Sequence, residues 1–293
     1  MKHIHITRYR SILTAAAIAA VFCMASAAFD WPQSVETDTP LYAIFGQPAG
    51  DTISTAVIFS EPGTVRAAGE GKILAVVNND ARSDAWFPSA LGNMVLVVHP
   101  DNMLSVYGSL DEITADASQP VTAETVLGTS GTSGWQSGTN SLIFQVIDLE
   151  QRVIINPSLL LPSIEQQERR ITPGAIYLVN EAGTEYEARS SQAIAAGTYR
   201  IYRDIENGTM PYSTTLTVNG AIAESLVYNS ISLNRDALVI IGKNYYTADK
   251  LYPTPDRQFL GEITLTRGRN ILAVTTGNME GTEATITYTL QVW

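Results

Sequence analysis

The stretch "GTNSLIFQVIDLEQRVIINPSLLL", residues 138–161, decides how the first half of the chain folds. A turn of small residues leads into an apolar run, a charged turn follows, and a second apolar run ends at Asn156-Pro157. Leu142, Phe144 and Val146 occupy alternate positions, and this period of two predicts a β-strand with one face in a hydrophobic core. The run at 152–156 predicts its antiparallel partner across the turn at 149–151.

Short apolar or alternating runs, broken by Gly, Asn, Asp and Pro, continue along the whole chain and predict an all-β protein. The segment 161–174 interrupts them with a Pro, charged and amide side chains and a Pro-Gly turn, which indicates a linker. Beyond the linker, strands rich in Thr, Tyr, Val and Ile predict a β-sandwich; they are 198–205, 213–220, 262–276 and 284–293.

The first 28 residues have the features of a secretory signal peptide. A basic start is followed by an apolar run at 11–24, and Ala25-Ser26-Ala27 offers a small-residue cleavage site. The apolar run is too short for a full membrane span, and Phe22 before Cys23 does not fit a lipoprotein signal. We expect cleavage near Ala27 or Ala28 and export to the periplasm, the extracellular space or the cell envelope, with no membrane span left.

Cleavage would change the chemistry that the chain can perform. It removes the only cysteine and two of the three histidines, so that His99 is the one imidazole in residues 29–293 and no disulfide can form. Removal of three basic and no acidic residues takes the formal net charge from -11 to -14. So acidic a surface repels nucleic acid and anionic lipid, and we expect neither as a partner.

Several short motifs between residues 42 and 162 occur in a characteristic order. They are Phe45-Gly46, "GTVRAAGEG" at 63–71, "GNMV" at 92–95 with Val98-His99, "YGSL" at 107–110, and "VLG" at 126–128 with "GTSG" at 131–134. Together they resemble the lysostaphin/LytM-type zinc endopeptidases, which cut peptidoglycan cross-bridges. The resemblance implies a barrel-sandwich hybrid, also called a duplicated hybrid motif, as the core of the first domain.

The functional residues of that family do not carry over. The family binds zinc with an early His, an Asp four residues later and the second His of a His-x-His pair, and these positions fall at Ser54, Ile58 and Ile143. The two histidines that assist catalysis fall at Ser109 and Ser141. A catalytic zinc site normally needs three protein ligands. We therefore predict a pseudo-peptidase with no metal and no cofactor.

A groove without a metal could still bind a glycan strand, a stem peptide or a protein loop. Its expected walls are the loops 78–93 and 128–140, which carry large aromatic side chains in polar surroundings. Packing of these aromatic side chains back onto the core is the alternative. The candidate binding residues are Trp86, Phe87, Tyr107, Trp135, Asn140 and Gln145.

Other catalytic constellations are weaker. A Ser-His-Asp triad could use only His99, and no "G-x-S-x-G" nucleophile motif is present. A pair of carboxylates for glycoside hydrolysis stays open because acidic residues are abundant. The acids near turns are Glu61, Glu70, Asp111, Glu112 and Glu124.

Residues 265–292 resemble the last two strands of bacterial immunoglobulin-like modules. We therefore expect a signal peptide at 1–28, a degenerate LytM-type domain at 29–162, a linker at 163–173 and an immunoglobulin-like sandwich at 174–293. The resemblance implies a non-catalytic envelope protein that binds peptidoglycan or regulates a peptidoglycan hydrolase. The alternatives are an active endopeptidase with a substitute site that uses His99, and a purely structural envelope protein.

Overall fold

A computed structural model describes residues 29–35, 41–78, 89–134, 141–163, 171–190, 193–205 and 210–293. The all-β prediction is confirmed, because strands carry nearly all of the regular structure in these ranges. The exceptions there are a 3₁₀ turn at Pro157–Leu159 and a single helical turn, α1, at Ala248–Leu251. No helix in the described part of the chain is long and apolar enough to cross a membrane.

The strands of the first half are short. They are β1 (Leu41–Ala43), β2 (Pro48–Ala49), β3 (Thr52–Ile53), β4 (Val57–Phe59), β5 (Thr64–Arg66), β6 (Gly71–Val77), β7 (Met94–Val98), β8 (Met103–Gly108), β9 (Leu110–Ile113), β10 (Pro120–Val121), β11 (Val126–Ser130), β12 (Ile143–Asp148) and β13 (Val153–Ile155).

The strands of the second half are longer. They are β14 (Ile176–Asn180), β15 (Glu185–Glu187), β16 (Gly197–Asp204), β17 (Ser213–Val218), β18 (Ala221–Val227), β19 (Ser230–Asn234), β20 (Ala237–Ile241), β21 (Tyr245–Tyr246), β22 (Arg257–Leu265), β23 (Gly268–Gly277) and β24 (Glu283–Val292).

Two antiparallel sheets enclose the first core. The large sheet runs β10-β6-β7-β8-β12-β13, with β4 also paired to β12, and the small sheet runs β5-β11-β9. Phe144 and Val146 point into this core with Val57, Val65 and Leu127, and all five are completely buried. The predicted period of two in β12 is therefore confirmed, and so is the predicted β12–β13 hairpin.

Two further sheets form the sandwich predicted for the second half. Their orders are β15-β14-β16-β22 and β18-β17-β23-β24, and every pairing in them is antiparallel. One core joins them, to which Leu178 and Ile201 contribute from the first sheet and Leu216, Leu272 and Leu290 from the second. The immunoglobulin-like assignment of this sandwich stays a prediction.

The large sheet does not stop at the predicted linker. Strand β13 pairs with β19 of the second half, where Ile154 lies opposite Ile231, and the sheet continues through β20 and β21. The proposed boundary at 163–173 separates two segments of sequence, but the segment 230–246 returns to extend the first sheet. The two halves thus share backbone hydrogen bonds as well as side-chain contacts.

A buried polar chain strengthens the same junction. The Arg203 Nε donates to Gln258 Oε1 at 2.5 Å, and Gln258 Nε2 donates to Tyr228 Oη at 2.5 Å. The Tyr252 Oη lies 3.3 Å from Tyr228 Oη and donates to the carbonyl oxygen of Gly46 at 2.5 Å. This chain connects the sandwich to the β2–β3 hairpin, which leads directly into β4.

Gly46 is required where the second half meets this hairpin. Its φ of +86° lies in the left-handed region, and a Cβ at residue 46 would lie 2.6 Å from Cδ1 of Tyr228. Gly220 has a similar φ of +83° but no heavy atom within 4 Å of the corresponding position. Substitution of Gly220 therefore tests backbone strain alone, and substitution of Gly46 tests the same strain together with a steric conflict.

We expect Gly46→Ala to destabilise the protein more than Gly220→Ala. Both substitutions incur about 1–2 kcal/mol of left-handed backbone strain, and Gly46→Ala adds about 1–3 kcal/mol for displacing the buried Tyr228 ring. Urea unfolding followed by fluorescence would measure both free energies of unfolding. Equal losses in the two variants would contradict the close packing at this junction.

Candidate functional site

The centre of the candidate site is a direct cross-strand contact between two isoleucines. Ile58 of β4 lies opposite Ile143 of β12, and each side chain is at most 5% exposed. Residues directly opposite in an antiparallel pair point to the same face of the sheet. Ala56 and Leu91 complete a small apolar cluster around them. The structure thus brings together the two positions that the sequence alignment assigned to an Asp and a His ligand.

Three serines occupy the positions that the family resemblance assigned to histidines, and all three are buried. Ser54 Oγ donates to the Ala56 carbonyl at 3.3 Å, and Ser109 Oγ donates to the Gly131 carbonyl at 2.9 Å. Among the described residues, Ser141 Oγ has no hydrogen-bond partner although it is completely enclosed. Each hydroxyl therefore either supports local backbone or lacks a partner.

These side chains do not fit the zinc ion that the family resemblance implies. Protein zinc ligands are Cys, His, Asp and Glu, and two isoleucines and three serines offer none of them. Within the described ranges, no group of three such residues comes close enough together to hold a metal ion. No catalytic step through a metal can be derived from this donor set.

The same face of the large sheet forms an apolar surface beside the isoleucine pair. Gln145 lies opposite Val106, which lies opposite Leu96 on the next strand. Two residues further along the strands, Ile147 lies opposite Leu104, which lies opposite Val98. Leu96, Val98 and Ile147 are half-buried, as is Gln145. We call this surface, formed by Gln145, Val106, Leu96, Ile147, Leu104 and Val98, the groove floor.

Gln145 is a polar member of the groove floor, and its amide is held in place. Its Nε2 donates to Thr55 Oγ1 at 2.5 Å, next to Ser54 at the end of the β2–β3 hairpin. No donor to the amide oxygen is present in the described part of the chain, so this oxygen can accept from a ligand. The structure therefore leaves Gln145 as a candidate binding residue.

The prediction that Tyr107 lines the groove is wrong. Tyr107 lies on the core face of the sheet with 0% exposure, and its ring packs against Phe144 at 5.4 Å between centroids. Its Oη accepts a hydrogen bond of 2.6 Å from the Ala68 N–H. The other four candidates, Trp86, Phe87, Trp135 and Asn140, lie outside the described residues.

His99 is a buried structural residue. Its Nδ1 lies 2.7 Å from the Glu70 carbonyl oxygen and its Nε2 lies 2.7 Å from Ser105 Oγ, while Phe29 packs on the ring at 4.6 Å between centroids. A carbonyl can only accept, so Nδ1 carries a proton. Ser105 Oγ also lies 2.9 Å from Tyr107 Oη, so that Nε2, Ser105 and Tyr107 form one buried polar chain. Ser105 was not selected from the sequence, because a serine within an apolar run carries no signal of its partner.

The first domain matches the model of a known protein family. Residues 53–157 match the family model described as "Peptidase family M23", and a second model, without a functional description, matches residues 171–293. An uncharacterized protein of Treponema pallidum (strain Nichols) is 32% identical over 134 residues, which cover 40% of this chain and 84% of that protein. The chain carries a peptidase family M23 domain at residues 53–157, and a second, C-terminal domain follows it.

Solved structures of this type also resemble the chain. The SpoIIQ–SpoIIIAH pore forming complex matches with a TM-score of 0.38 and 19% identity, over 48% of this chain and 94% of that one. The solution structure of lysostaphin matches with a TM-score of 0.37 and 16% identity, over 88% of this chain and 91% of that one. The catalytic domain of lysostaphin from Staphylococcus simulans matches with a TM-score of 0.33 and 20% identity, over 38% and 81%. These scores are low, so the family assignment rests on the sequence matches.

We expect Ser141→Ala to leave the protein equally stable or more stable, because it removes a buried hydroxyl that has no partner among the described residues. A gain of about 1 kcal/mol is expected from the relieved desolvation cost. Ser109→Ala is the matched control: it removes a hydrogen bond to Gly131 and should cost about 1 kcal/mol. Denaturant unfolding would compare them, and a clear loss in Ser141→Ala would show that its hydroxyl has a stabilising role.

We expect the stability of the protein to fall in mild acid because of His99. Burial lowers the pKa of His99 below its ordinary value of 6.5, although the contact with the Glu70 carbonyl acts in the opposite direction. The unfolded chain therefore takes up a proton that the folded protein excludes, and the stability present above pH 6.5 is lost as the pH falls toward the folded pKa. Unfolding free energies between pH 7.5 and 5 would measure the slope, which His99→Gln should reduce. An unchanged slope in His99→Gln would contradict this account.

Proposed function

We propose that the protein is exported and that its M23 domain acts in the cell envelope without catalysis, by binding peptidoglycan or by regulating a peptidoglycan hydrolase. The observation that carries this proposal is the Ile58–Ile143 pair. Two buried apolar side chains occupy the point where the family resemblance places two zinc ligands. The signal peptide that would direct export, residues 1–28, lies outside the described residues.

The contacts of His99 weaken the competing proposal of a substitute active site. His99 is 2% exposed, and both ring nitrogens already contact protein groups. A general base has to reach the proton that it abstracts, and this ring faces the core rather than the groove floor. Of the acids near turns, Asp111 accepts a hydrogen bond of 2.8 Å from the Thr132 N–H, an ordinary role in a turn.

The groove floor supports a binding role. Leu96, Val98 and Ile147 are half-buried, while Val106 and Leu104 between them are buried. Half-buried apolar side chains next to a positioned amide can give a binding surface affinity and orientation. A polar peptide–sugar polymer and an extended protein segment could both use such a surface. The aromatic residues of the loops at 78–93 and 128–140 stay candidates for its walls.

We expect the purified protein, after signal cleavage, to contain substoichiometric zinc and to release no peptide from purified peptidoglycan. The physical reason is that serine and isoleucine at the family's ligand positions cannot coordinate the ion. Metal analysis by mass spectrometry and chromatography of the digest would test this, with lysostaphin on a susceptible cell wall as the active control. Stoichiometric zinc together with turnover would overturn the proposal.

We expect Trp135→Ala to reduce retention of the protein on purified sacculi, or of a hydrolase from envelope extract, severalfold. A large aromatic side chain in a polar loop is a typical anchor for such contacts. Trp293→Ala is the matched control, because Trp293 is 70% exposed at the other end of the chain. Retention of sacculi alone identifies peptidoglycan as the ligand, and retention of a hydrolase alone identifies a protein partner. Retention of neither by the native protein would favour a purely structural role.

A further inference from the structure

A cleft in the second half of the chain lies outside the M23 domain. It has a volume of about 350 Å³, at the lower end of the range for small-molecule sites. It opens between the outer face of one sandwich sheet and the segment that runs from β21 through α1. The sheet contributes Arg200, Tyr202 and Phe259, and the covering segment contributes Tyr246, Asp249, Lys250 and Pro253.

A β-bulge shapes the wall of this cleft. The register between β16 and β22 shifts between Ile201 and Tyr202, so that Ile201 lies opposite Gly261 and Tyr202 opposite Phe259. The Tyr202 and Phe259 rings meet edge to face with centroids 5.6 Å apart, and Tyr246 packs on Phe259 at the same separation. The Tyr246 hydroxyl donates to Glu224, which fixes its ring. The aromatic wall is therefore held by ring packing and by a hydrogen bond that need no ligand.

The charged groups at the cleft are free to bind. Arg200, Asp249 and Lys250 are exposed, and within the described ranges none of their side chains has a hydrogen bond or an ion pair. Glu262 lies opposite Arg200 across the β16–β22 pair but forms no ion pair with it there. The cleft therefore offers two cations, Arg200 and Lys250, beside the carboxylates of Asp249 and Glu262, which is a set of charges of both signs.

We propose that this cleft binds a short peptide with free termini. The peptide carboxylate is held by Arg200 and Lys250, since a guanidinium can pair with a carboxylate through two parallel hydrogen bonds. Its ammonium group is held by Asp249, and an apolar side chain lies against Tyr202 and Phe259. Charges of both signs beside an aromatic wall match a zwitterion with an apolar body. This proposal is independent of what binds to the groove floor.

Isothermal titration calorimetry of the full mature chain with the dipeptide Ala-Phe tests the proposal. The C-terminal amide of Ala-Phe lacks the carboxylate, and N-acetyl-Ala-Phe lacks the ammonium group. Each should bind at least about tenfold more weakly than the free dipeptide, because a tenfold loss already corresponds to only one charge-assisted hydrogen bond. Equal binding of the free and blocked forms, or no binding of the free dipeptide, would overturn the proposal.

Two charge substitutions test which residue binds each end of the peptide. Arg200→Gln should weaken binding of Ala-Phe about tenfold but change binding of its amide little, because the amide has no carboxylate. Asp249→Asn should weaken binding of Ala-Phe about tenfold but change binding of N-acetyl-Ala-Phe little, because the acetylated form has no ammonium group. Arg269→Gln is the matched control, because Arg269 is an exposed cation on β23 of the other sheet. All three positions are exposed, so the fold should stay intact, which circular dichroism would verify. Identical affinities in Arg200→Gln and Arg269→Gln would place the carboxylate elsewhere.

Discussion

The pairing of Ile58 with Ile143 is the constraint on which the interpretation of the site depends. Antiparallel pairing places the Cβ atoms of opposite residues about 4.5–5.5 Å apart, and in this fold it does so at the point where the family resemblance places two metal ligands. Val57 and Phe144, the next pair, point the other way and are completely buried in the first core. The two strands that carry these ligand positions therefore need no metal ion to hold them together. An apolar contact stabilises the same two strands.

Much of this could be predicted from the sequence because it depends on local periodicity and on composition. The period of two in 142–146 gave the core face of β12, and the single histidine in residues 29–293 already limited any metal site. Tyr107 shows where this reasoning ends. Leu104 and Val106 lie on one face of β8, and Ser105 and Tyr107 lie on the other, so the strand's own pattern does not tell which face meets the core. The register with β7 and β12 decides it.

The junction between the two halves was also beyond local reasoning. The contact of Ile154 with Ile231 joins residues far apart in sequence, and nothing in either strand alone specifies the other. The buried chain from Arg203 through Tyr228 to Gly46 is similarly non-local. Burial raises the pKa of Tyr228 and of Tyr252, so both hydroxyls stay protonated. A polar chain in an otherwise apolar junction specifies one relative arrangement of the groups that it connects, since any other leaves buried groups without partners.

That arrangement bears on how the M23 domain can work. The β2–β3 hairpin ends at Ser54, one of the family positions, and its Gly46 carbonyl is held by Tyr252 of the second half. Thr55, the next residue, holds the amide of Gln145 on the groove floor. The second half is thus linked by hydrogen bonds and packing to the edge of the candidate site. A surface fixed in this way loses little conformational freedom when a ligand binds, and such preorganisation favours binding. Among the described residues the one histidine, His99, lies in the first core and not at this surface.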